Sequence, residues 1–312
     1  MWGLSRRFLH QKRRTPIRRI AAAACLALLT SCDKLNPGSN ANPTAPGPPS
    51  PGSTVVYTAI GASDANGVGS SVPCFPFTDC PNGMGYVPVA VRTLKTQGFT
   101  VTVLNLGIPT AVIGRDFQTL GQQYGRLIEG NFIEQELPFV PASSTAVSVF
   151  TGVNEINTIT SALGGGAGGT AVPTQLAYID AQVRAFGADY TTLITGVRSR
   201  APSARIVAIN VPNAAGLPYL AGASLPQRQA AQRAAVAMST TVVNPLVSQG
   251  VVVIDALCDT RFYQASNYSA DGLHPNDAGY AIIAAELVRA ITSSSYPTPQ
   301  GSCAAMTIVA NP

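Results

Sequence analysis

The chain has 312 residues, 46% of them hydrophobic and 11% charged, with a formal net charge of +5. Residues 1–31 hold seven of the 20 Lys and Arg and no acid, so the rest of the chain carries 13 basic against 15 acidic residues, a net of −2. That balance leaves no excess of basic charge for nucleic acid or an anionic membrane face, and it excludes both as partners of the folded part.

The basic start and the apolar run "IAAAACLALLT" that follows have the form of an export signal, and the run is too short to span a bilayer. It ends in Leu29-Thr30-Ser31-Cys32, which resembles the lipobox of bacterial lipoproteins. The resemblance implies that Cys32 is lipidated and becomes the mature N-terminus, so that the chain is an exported cell-envelope protein touching membrane only through its anchor. The alternative is an ordinary cleaved signal with an incidental cysteine. Residues 33–53 are rich in Pro, Gly, Ser and Asn and cannot build a core, so they read as a tether. The expected organisation is therefore a signal over 1–32, a tether over 33–53 and one domain over 54–312 that includes a C-terminal tail.

Within that domain, apolar β-branched runs predict strands over 54–60, 99–106, 145–151, 205–211 and 251–256. They are nearly continuous in Val, Ile and Leu, as parallel strands buried on both faces must be. Helical patterns lie between them, over 86–97, 116–129, 226–247 and 275–291. The clearest follows Pro173, where Leu176, Ile179, Val183, Phe186, Leu193, Ile194 and Val197 recur mostly at three- and four-residue spacings. The alternation predicts an α/β fold, a three-layer α/β/α sandwich on a mainly parallel sheet of roughly five strands. Sites in such sheets form beyond the carboxyl ends of the strands. Ser63, Gly107 and Asn154 each stand just past a predicted strand end and are expected to meet on one edge.

The exported part keeps Cys74, Cys80, Cys258 and Cys303 besides Cys32. Four cysteines permit three pairings; Cys74 with Cys80 is the local one and leaves Cys258 for Cys303. Their spacings do not resemble zinc motifs and only one histidine remains after the signal, so disulfides are expected in an oxidising compartment and no metal is.

That histidine, His274, lies in "SADGLHPNDAGY", three residues after Asp271. A carboxylate so placed can hold one ring nitrogen and leave the other free to accept a proton. Here the chain resembles the SGNH, or GDSL-type, serine hydrolases. "AIGASD" is similar to the first block of that family, "LNLGIP" to the second, "FTGVNEIN" to the third and "DGLHPNDAGY" to the last, in the family's order. The resemblance implies Ser63 as nucleophile, Asp271 and His274 as acid and base, and Ser63, Gly107 and Asn154 as oxyanion donors. Two positions depart from the pattern: Ala62 stands where the family has Asp, and Glu155 where an Asp follows the Asn.

The implied activity is hydrolysis of carboxylic esters through an acyl-enzyme, without a cofactor. The substrates that fit range over small, lipid and carbohydrate esters, including acetylated carbohydrates, lysophospholipids and thioesters. A non-catalytic, lipid-anchored binding protein is the reading from another class; oligomeric state is not legible. No Gly-x-Ser-x-Gly elbow occurs, and "GGGAGG" at 164–169 lacks the Gly-Lys-Ser/Thr end of a phosphate loop. That glycine run is expected to be a loop beside the cleft, and Tyr219, Phe262, Tyr263 and Tyr268 are aromatic residues available to line an acyl pocket.

Overall fold

The computed structural model describes residues 45–78 and 80–312. The signal, Cys32 and most of the tether lie outside the described residues. Five strands, β1 (Thr54–Gly61), β2 (Thr100–Asn105), β3 (Ala146–Phe150), β4 (Arg205–Ile209) and β5 (Val252–Ile254), form one sheet in the order β2-β1-β3-β4-β5. Every pairing is parallel. The sheet is the five-stranded parallel one expected, with β5 trimmed to three residues.

Alternate residues of each strand face opposite layers, and both layers are apolar. Val55, Tyr57 and Ala59 of β1 and Val207 and Ile209 of β4 join a core with α1 (Tyr86–Thr96). On the other face Ile60, Val147, Val149, Ile206 and Ala208 meet Phe117 of α2 (Arg115–Gln123). The period-two alternation of a strand, apolar on both sides, is what makes a sheet that helices must cover twice.

The chain continues through a short α3 (Phe132–Gln135), then α4 (Val153–Gly164), the 29-residue α5 (Val172–Arg200), α6 (Leu225–Ala237) and α7 (Asp277–Thr292). Helix α7 joins α1 on the first face, while α4, α5 and α6 lie on the second. Two helices are shorter than their sequence patterns. The α2 pattern stops at Tyr124 because Gly125 takes φ 75°, and α6 gives way to a π turn at Met238 and then to a 3-10 run carrying Pro245. Helix α4, which starts beside Asn154, was absent from the sequence expectation. The glycines that close it lie a full 12-residue helix from its start, about 18 Å away, so the 164–169 run does not border the strand ends where α4 begins.

Disulfides join Cys74 to Cys80 and Cys258 to Cys303, the second fastening the C-terminal tail to the loop after β5. Among the described residues no helix is long and apolar enough to cross a membrane.

Candidate active site

Strand β1 ends at Gly61, and Ser63 follows two residues later at the carboxyl edge of the sheet, only 8% exposed. A side chain so buried can be reached only through a cleft, and one opens over it. The space is about 580 Å³ when the open solvent above it is counted, and its walls include Asp64, Ala111, Asn154, Phe262, Tyr268 and His274. Of the four aromatic residues singled out in the sequence, Phe262 and Tyr268 line this cleft and Tyr219 and Tyr263 do not.

His274 reaches Ser63 from a tight loop before α7. Ser269 N–H bonds His274 O at 2.8 Å and Gly272 N–H bonds Ser269 O at 3.0 Å, so the chain folds back on itself between them. Inside that turn, one oxygen of Asp271 accepts from the Ser269 hydroxyl and from the Leu273 and His274 amides, at 2.8, 2.8 and 2.9 Å. The other oxygen stands 2.6 Å from His274 Nδ1. Burial pushes the Asp271 carboxyl up, but these bonds, led by the His274 ring, outweigh it and hold it well below the usual carboxylate range. An ionised Asp271 fixes the proton on Nδ1, so Nε2 is the acceptor, and the Ser63 hydroxyl donates to it at 2.8 Å. Ser63, His274 and Asp271, 211 and 3 residues apart along the chain, form one continuous hydrogen-bonded line.

Two latches keep the loops in register. Asp277, in the first turn of α7, accepts from both the amide and the hydroxyl of Ser71 at 2.7 Å, and Tyr280 of α7 donates its hydroxyl to Val68 O at 2.6 Å. The Asn276 side chain caps α7, accepting from the Ala278 and Gly279 amides.

Asn154, in the first turn of α4, lines the cleft and gives one amide hydrogen to Ala111 O at 2.9 Å, which leaves the other free among the described residues. Gly107 is not brought to the cleft. Its N–H donates to the Asn105 side chain at 3.1 Å and its carbonyl accepts from Asn66 at 2.9 Å, so both backbone groups are engaged behind the nucleophile turn. The part of that loop that does reach the cleft wall is Ala111, next to Thr110, whose φ of 62° is strained for a β-branched residue.

Three carboxyls shape the site without a role assigned to them in the sequence. Glu155, fully buried, accepts from Ile113 N–H, Thr151 Oγ1 and Gly152 N–H at 2.5, 3.0 and 2.8 Å, tying the start of α4 to the loop after β2. Burial outweighs those bonds and pushes its pKa up to about 6. Gly152 has φ 125°, and a Cβ there would lie 2.2 Å from Val211, so glycine is required for the turn into α4. Glu136 accepts from Gly61 N–H at 2.9 Å, just ahead of the nucleophile; burial drives its carboxyl well up against that bond. Asp64 is half-buried in the cleft wall; burial raises its pKa, and the nearby His274 opposes the rise. The signal for Glu155 was its place beside Asn154; Glu136 had none, because its partner lies 75 residues away.

Among the described residues no cluster of three or more His, Cys, Asp and Glu could hold a metal ion.

Residues 59–282 match the GDSL-like Lipase/Acylhydrolase family, a span that contains all four sequence blocks and every side chain of the hydrogen-bonded line. No curated relative matches the chain. Among solved structures, the lipase Lip_vut3 from a goat rumen metagenome is similar over 77% of this chain and 99% of its own, with a TM-score of 0.52 and 14% identity. At that identity the likeness bears on the fold, and it agrees with the layers described above. An extracellular lipase from Streptomyces rimosus gives a TM-score of 0.49 at 17% identity over 73% of this chain and 95% of its own. An acetyl xylan esterase from Geobacillus stearothermophilus gives 0.47 at 15% identity, over 76% and 94%.

Proposed function

Because the chain belongs to the GDSL-like lipase/acylhydrolase family and its fold is that of an ester hydrolase, we propose that it is a serine esterase working through Ser63, His274 and Asp271. The observation that carries this reading is the unbroken hydrogen-bonded line from Asp271 through His274 to Ser63 at the floor of the cleft.

Ser63 is a weak nucleophile at its own pKa, so His274 Nε2 takes its proton as Oγ attacks the ester carbonyl. Asp271 holds the ring in the required tautomer and stabilises the imidazolium that forms. The tetrahedral oxyanion is met by the Ser63 N–H and the free amide hydrogen of Asn154. Gly107, whose own N–H is committed to Asn105, serves by holding the loop that carries Ala111 and thus Asn154's partner. Collapse of the intermediate expels the alcohol, protonated by His274, and water activated by the same ring releases the acid and restores Ser63.

The tether and the resemblance to a lipobox support an exported, lipid-anchored form attached at Cys32, and two disulfides fit an oxidising compartment. The reading is tested by hydrolysis of a p-nitrophenyl ester series, acetate to palmitate, by the full-length chain beside Ser63→Ala. Turnover with a loss of about 10³-fold or more in the variant supports the serine mechanism. Equal rates for the two proteins overturn it. Asn154→Ala should lose on the order of 10²–10³-fold in kcat as an oxyanion donor.

A further inference from the structure

The cleft carries a carboxylate that neither the proposed mechanism nor a donor from another residue engages among the described residues. Three acids or bases line it: Glu155, His274 and Asp64. Glu155 is saturated by its three donors and His274 by Ser63 and Asp271. The Asp64 side chain accepts from no other residue among those described, while its backbone carbonyl takes the Gly67 N–H at 3.0 Å; the groups that act on its charge are its own amide, His274 and Asp271. Among the described residues no Lys or Arg lines the cleft.

The wall around Asp64 is aromatic. The Tyr268 hydroxyl is turned away to Phe262 O at 2.6 Å, so Tyr268 and Phe262 offer the cleft their rings. The charge of Asp64 is also felt by the Tyr86 and Tyr280 hydroxyls behind it. A carboxylate without a protein partner, beside aromatic rings and with no cation near, has the composition that recognises an organic ammonium: the charge attracts it, and the ring faces do so again without demanding hydrogen bonds.

We propose that Asp64 is a specificity-determining residue, selecting ester substrates that place a quaternary or substituted ammonium group in the cleft beside Ser63 and disfavouring anionic ones. The proposal rests on the esterase reading above and adds the substrate class to it. A group one residue from the nucleophile acts directly on the part of the substrate next to the scissile carbonyl, so the cation and the ester must be close together, a few bonds apart.

The test compares acetylcholine with 3,3-dimethylbutyl acetate, the same shape without the charge, at equal ionic strength on the full-length chain. The wild type should favour the cationic ester in kcat/KM by about tenfold, and Asp64→Asn should bring the ratio near one. A ratio near one in the wild type, or one unchanged in Asp64→Asn, overturns the proposal. Should the Asn variant fail to fold, the wild type still decides: the ratio must fall towards one as pH is lowered and Asp64 takes up its proton, and a pH-independent ratio counts against it. Using the ratio cancels any pH effect common to the two esters. If neither ester is turned over, the p-nitrophenyl series above decides whether the esterase reading itself has failed. Calorimetry with tetramethylammonium against equimolar sodium then decides, binding by the wild type that Asp64→Asn loses supporting the site and no binding overturning it.

Discussion

Asp277 accepts both the amide and the hydroxyl of Ser71 at 2.7 Å, and so ties the loop that follows Ser63 to the helix that follows His274. The nucleophile and its base come from positions 211 residues apart, and their 2.8 Å contact depends on two loops keeping one relative position. A carboxylate accepting two donors from a single residue supplies that constraint with direction as well as attraction.

Asp277→Ala should therefore lower kcat by roughly tenfold while leaving KM nearly unchanged, because a misplaced base weakens the transition state more than the ground state. The loss in stability should be modest, about 1 kcal/mol, since the bonds are at the surface. Steady-state kinetics beside urea unfolding separates the two. A fall in stability of several kcal/mol with unchanged kcat would make the latch merely structural.

Gly69 packs against the base itself. A Cβ at this position would lie 2.7 Å from His274 Cβ and 2.8 Å from Pro275 O, and its φ of 92° is foreign to other residues. Gly69→Ala must push the His274 loop outward, so kcat/KM should fall by about 10²-fold, with a destabilisation of about 1–3 kcal/mol. Steady-state kinetics and a thermal melt on the same preparation check both. An active, equally stable variant would show that the loop accommodates the methyl group.

Glu155 sets a pH dependence of stability. Its pKa is pushed up to about 6 in the folded chain, from 4.5, so the native state holds the proton more firmly than the unfolded one. Its contribution is thus present below about pH 4.5 and lost as pH rises through about 6, a change of roughly 2 kcal/mol across that window. Glu155→Gln cannot titrate and leaves a donor facing the Gly152 amide, so it should be less stable at every pH. The gap to wild type should be wider at pH 5 than at pH 7, by roughly 1 kcal/mol, in urea unfolding at the two values. A gap that widens towards pH 7 instead would reverse the sign assigned to Glu155.

The two disulfides should contribute unequally. Cys258–Cys303 closes a separation of 45 residues and Cys74–Cys80 one of 6. By chain entropy the first is worth about 4 kcal/mol and the second about 2 kcal/mol. Replacing each pair by serines and comparing denaturant midpoints checks the order. Equal losses would mean that native packing of the tail, rather than loop closure, dominates.

Much of this molecule could be read along the chain. Strands were legible because apolar, β-branched runs such as Ile206 to Ile209 stay apolar on both faces, a property of consecutive residues. The line of Ser63, Asp271 and His274 was legible because the chain has one histidine beyond the signal and its carboxylate is three residues away. Helix α4 was hidden, since its start is set by Gly152 and by Glu155 reaching across to Ile113.

What the sequence determined by itself is the layer order and the identity of the groups gathered at the sheet edge, because both follow from local periodicity and from residue types that have few alternatives. Only the tertiary structure decided which backbone groups are free there. Gly107 was taken up by Asn105 and Asn66. Glu136 was drawn beneath the nucleophile, and the Asp64 side chain was left without a donor from another residue among those described. A hydrogen bond satisfies a group through whichever neighbour folding brings within 3 Å or so, and that neighbour is as often 40 or 75 residues away as two.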